Sequence, residues 1–157
     1  MTELTMTDRA DRARIALDAY TAEAPANLFS FHLHAERVRL GVVAVEAVAR
    51  ATRRDPATLS QETADELLGD LIAYVFCLAD GRIRPSELTR AAEQFRTSRP
   101  IRLDAALAAD EAGMGRVAAM LGAIIDVAHE YDCAVTWMVE DAEEFLEEQR
   151  AAEAAGA

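Results

Sequence analysis

The chain reads as all-α: a compact helical bundle of five to seven helices with one long central helix. Three observations carry that reading. Apolar residues recur at spacings of three and four through most of the chain. No stretch alternates polar and apolar residues as a half-buried strand would, and β-branched pairs such as Val42-Val43 fall inside helical periodicity. Proline and glycine stand between the periodic runs, at Pro25, Pro56, Gly81, Pro85 and Pro100.

The elements follow in order. Residues 1–6 are expected to be a loose lead-in, and Thr7-Asp8 a helix start with acid in its first turn. Ala13, Leu17 and Tyr20 then mark one apolar face, and Pro25 ends the run. Asn27 is placed to cap a second helix over 28–50. There Leu28, Phe31, Ala35, Val38, Val42, Val45 and Ala49 form a heptad-like seam. A helix of that length spans roughly 33 Å, which suits a central strut or a subunit contact. Ser60 or Thr58 caps a third helix running to Asp80, with Ala64, Leu67, Leu71, Val75 and Leu78 as its stripe. Gly81 is a natural C-terminal cap and Pro85 a natural first residue of the fourth helix. A short helix is expected over Asp104–Ala109, then a hinge at Gly113 and Gly115. From Arg116 the pattern resumes with Val117, Leu121, Ile124 and Ala128, is interrupted at Tyr131-Asp132-Cys133, and resumes with Val135, Met138, Ala142 and Phe145. Residues 151–157 are expected to fray. The two stretches LLGDLIAYVFCLADG and MLGAIIDVAHEYDC, each with a following helix, suggest a repeated helix–turn–helix.

With 157 residues the chain suits a single domain, 1–157, able to fold without a disulfide or metal staple. Its formal net charge of -12 makes phosphate backbones and anionic bilayers repulsive partners. Neither nucleic acid nor membrane is therefore expected. No apolar run reaches the length of a membrane span, and the N-terminus lacks the apolar core of a secretion signal. These features point to the cytoplasm. Cys77 and Cys133 sit in apolar surroundings and are expected to be buried, reduced thiols.

Chemistry is most plausible on the third helix. Glu62, Glu66 and Asp70 follow one another at i, i+4 and i+8, with Asp65 beside them. Like charges so close repel, and a hard divalent cation such as Mg²⁺ or Mn²⁺ offsets the repulsion. The same pattern equally describes a solvated acidic face near a helix N-terminus, where the helix dipole favours negative charge. Arg82, Arg84, Arg90, Arg96, Arg99 and Arg102 form a local basic excess that either holds a phosphate or balances surface charge. His32 and Glu36 have metal-pair spacing, but no second pair accompanies them. There is no phosphate loop, nucleophile elbow or paired CxxC.

The run ETADELLGDLIAYVFCLAD resembles the third helix of MazG-like all-α nucleoside triphosphate pyrophosphohydrolases, and Glu62-Thr63-Ala64-Asp65 matches their ExxD motif. The family's EExxE motif has its literal match at Glu143-Glu144-Phe145-Leu146-Glu147, after ExxD rather than before it. The helix over 28–50 carries only Glu36 and Glu46 as acids. The resemblance implies a Mg²⁺-dependent nucleotide pyrophosphohydrolase or a catalytically degenerate relative, with metal on Glu62, Asp65, Glu66 and Asp70. The ADGRIRPSE run resembles the TerB-like helical family. The alternative function is a non-catalytic oligomerisation or adaptor protein, a homo-oligomer joined along the second helix.

Overall fold

The computed structural model describes residues 4–29, 33–58, 60–97 and 102–156. Among them are seven α-helices and no strand. They are α1 (Met6–Glu23), α2 (His34–Ala51), α3 (Gln61–Ala79), α4 (Pro85–Arg96), α5 (Asp104–Glu111), α6 (Gly115–Glu130) and α7 (Val135–Gly156), with a single 3₁₀ turn at Pro56–Thr58.

The centre of the bundle is α6. Every residue from Val117 to Ala128 is buried. A helix that is apolar all round must be enclosed all round, and α6 packs against α2, α4, α5 and α3. The expected central strut, the helix over 28–50, is shorter than its seam suggested. Asn27 does not cap it; its Oδ1 accepts from the Phe29 amide at 3.0 Å and closes a local turn instead. The helix begins at His34, and Phe31 of the expected seam lies outside the described residues. Most of what remains of the seam is used inside the chain. Of its other members, Val45 and Ala49 are buried, Leu28, Val38 and Val42 pack on the same core, and Ala35 is exposed. The α2–α6 contact is close because Gly41 has no side chain: a Cβ at that position would run onto the Ala123 carbonyl oxygen and come within 2.7 Å of Val127 Cγ2.

The two expected helix–turn–helix units are present as α3–α4 and α6–α7. Each turns at a residue with positive φ, Gly81 at 81° and Asp132 at 54°. They interleave, with α3 against α7 and α4 against α6. Both ends of the chain differ from expectation. Thr5, not Thr7, caps α1, in a reciprocal pair with Asp8. The stretch 151–156 is helical rather than frayed, because α7 is tied down twice. Arg150 pairs with Asp80 at the end of α3, and Glu153 Oε1 accepts the Met6 amide at 2.9 Å. No described helix is long and apolar enough to cross a membrane.

Candidate functional site

Between α1, α3 and α7 lies an open cleft of about 720 Å³, within the usual range of ligand sites. Helical spacing builds its walls. On α3, Asp65, Gly69 and Ala73 follow at four-residue intervals, and so do Glu66, Asp70 and Tyr74 beside them. On α7, Trp137, Met138, Asp141, Ala142 and Phe145 face them. Leu4 and Arg9 close one end, and Asp132 joins from the α6–α7 turn. The floor stays open at Gly69, where an added Cβ would find only Met138 Cε, 4.0 Å away.

Three of the four ridge acids share this cleft: Asp65, Glu66 and Asp70. Glu62 is exposed and is not part of the lining. The ridge is not waiting for a counter-ion. Arg54 reaches both Glu66 Oε1 at 3.6 Å and Asp70 Oδ2 at 3.4 Å. Burial pushes the Asp70 carboxyl above its ordinary value, and Glu66 adds to the shift against the opposing pull of Arg54 and Arg12. Among the described residues, no three His, Cys, Asp or Glu side chains converge as ligands of one metal ion. As arranged, the ridge does not fit a Mg²⁺ site.

The aromatic lining is already engaged with positive charge. The Arg9 guanidinium lies over the Phe145 ring, 4.6 Å from its centroid. Arg12 lies 5.4 Å from the centre of Tyr74 and donates to its hydroxyl at 2.8 Å. Trp137, the only tryptophan of the chain, is 72% exposed at the rim. None of Arg9, Arg12, Tyr74 or Trp137 stood out in the sequence, because the Arg12–Tyr74 and Arg9–Phe145 pairs and the cleft that Trp137 edges join different helices.

The cysteines offer no nucleophile. Both are buried and free. Burial pushes the Cys77 thiol up to about 11. Burial and the adjoining Asp65 push Cys133 up to about 12. Neither is a thiolate at neutral pH.

A second polar cluster lies on the far side of α6. Asp126 is the one buried charged residue among those described, with its side chain 1% exposed. Arg37 Nε on α2 donates to Asp126 Oδ2 at 2.9 Å, and Arg96 Nε on α4 donates to Oδ1 at 2.8 Å. His34 bridges Asp126 and Glu130, at 3.6 and 2.8 Å. Arg96 is thus turned inward and does not belong to a surface phosphate cradle. Of the other arginines in that excess, Arg84 pairs with Glu87 and Arg102 with Asp104, and Arg99 lies outside the described residues, as does His32. Asp126 was missed in the sequence. Its signal was a lone acid inside the apolar run Ile124-Ile125-Asp126-Val127-Ala128, since a buried charge must be paired.

Comparison with protein-family models, with curated proteins and with solved structures finds no match to this chain.

Proposed function

We propose that this chain is a non-catalytic adaptor whose α1–α3–α7 cleft docks a basic, amphipathic segment of a partner protein. The observation that carries the reading is the cleft's composition. An apolar floor of Ala73, Met138, Ala142 and Phe145 is rimmed by Asp65, Glu66, Asp70, Asp132 and Asp141, with the exposed Trp137 at its edge. Such a surface favours a ligand with apolar and cationic groups, and the net charge of -12 steers basic partners toward it. A nucleoside triphosphate would meet five carboxylates and one lining arginine.

Trp137 supplies the assay, because its fluorescence reports the cleft alone. A synthetic amphipathic peptide with arginine along one face and leucine along the other should shift the emission to the blue and saturate. A glutamate–leucine counterpart should not. No saturable response, or an equal response to both, refutes the reading.

The MazG-like pyrophosphohydrolase is the second reading, and what favours it is that Asp65, Glu66 and Asp70 line one cleft. It requires Arg54 to leave Glu66 and Asp70. Calorimetric titration with Mg²⁺ or Mn²⁺, with pyrophosphate release measured on a panel of nucleoside triphosphates, tests it. Saturable metal binding together with release would favour the enzyme over the adaptor.

A further inference from the structure

We propose that Trp137 and Asp141 together seat an arginine guanidinium of the docked segment, in preference to a lysine ammonium. The inference rests on the docking reading and names its specificity. Trp137 and Asp141 lie four residues apart on α7, hence on one helix face, and both line the cleft. The cleft has three aromatic side chains. Two of them, Phe145 and Tyr74, already carry guanidinium groups, those of Arg9 and Arg12 on α1. The chain therefore shows within itself what these walls accept. Among the described residues, the third ring, Trp137, has neither a stacked ring nor a cation over it. Indole gives the strongest cation–π face of the three. A guanidinium is planar and weakly hydrated; it can lie flat on the indole while its fork donates to the Asp141 carboxylate. An ammonium is compact and strongly hydrated, and cannot make the flat contact.

The test compares arginine–leucine, lysine–leucine and citrulline–leucine peptides of the same sequence pattern. Binding to the native chain is followed by Trp137 fluorescence and by calorimetry. Binding to Trp137→Leu and Asp141→Asn is followed by calorimetry alone. Both positions are exposed, so the variants should keep the native helical content and melting temperature. The arginine peptide should bind about fivefold tighter than the lysine peptide, and the citrulline peptide more weakly than either. Each substitution should bring the arginine preference below about twofold while leaving residual binding through the remaining cleft acids, Asp65 and Asp132. Equal affinity for arginine and lysine peptides, or an arginine preference that survives both substitutions, overturns the assignment and leaves the docking reading intact. Failure of the native chain to bind any of the basic peptides overturns both.

Discussion

Replacing Asp126 with Asn isolates the most consequential polar contact in the fold. The Asp126 side chain is 1% exposed and accepts from Arg37 and Arg96, which join α2 and α4 to the central helix. Removing one member of a buried ion pair costs about 3–5 kcal/mol, because the partner charge is left buried without compensation. Three features place this variant at the lower end. The Arg37 and Arg96 side chains are 13% and 20% exposed, so solvent can reach them. Arg96 also keeps its pair with Glu93 at 2.8 Å. The Asn carbonyl can retain one of the two hydrogen bonds. We expect a loss of about 3 kcal/mol, a large part of the 5–15 kcal/mol that stabilises most domains. For a chain of this length the melting temperature should fall by roughly 6–12 °C. Urea unfolding followed by circular dichroism measures the loss directly, and an unchanged m-value would show that the native state is otherwise preserved. Replacing all three residues together (Asp126→Leu, Arg37→Met, Arg96→Met) should restore most of the stability, since apolar substitutes avoid the desolvation cost of the charges. A loss below about 1 kcal/mol for Asp126→Asn would refute the reasoning. So would a triple variant no more stable than the single one.

Three further outcomes are expected. Gly41→Ala should destabilise by about 2 kcal/mol in urea unfolding, because overpacking against the fixed Ala123 carbonyl and Val127 outweighs alanine's better helix propensity. Gly69→Ala, with the nearest heavy atom 4.0 Å from its new Cβ, should instead stabilise by about 1 kcal/mol in the same assay. Asp70→Asn should melt higher than the native chain at pH 7. Burial raises the Asp70 pKa, so ionised Asp70 is disfavoured in the folded state. The difference should shrink as pH falls through the raised value and vanish below the ordinary 3.8, where native Asp70 is neutral in folded and unfolded states alike. A difference in melting temperature that is constant with pH would contradict that cause.

The sequence by itself determined whatever depends on near neighbours in the chain. Helix type follows from spacing, and the ends of α3 and α4 follow from Ser60, Gly81 and Pro85, because capping and φ preference act within a few residues. Asn27 shows the limit of that reasoning. The same side chain can cap a helix or close a two-residue turn, and the turn prevailed. The acidic ridge was legible as a helix face. Its surroundings were not, since Arg54 comes from the segment after α2 and the aromatic wall from α3 and α7. The central place of α6 was hidden for the same reason. Its apolar stripe could be read along the chain, but enclosure on every side depends on how many helices surround it. The roles of Asp126 and Trp137 were decided only by tertiary structure. Burial and pairing arise between helices distant in sequence, so Asp126 became a buried junction of three helices and Trp137 the exposed edge of a cleft.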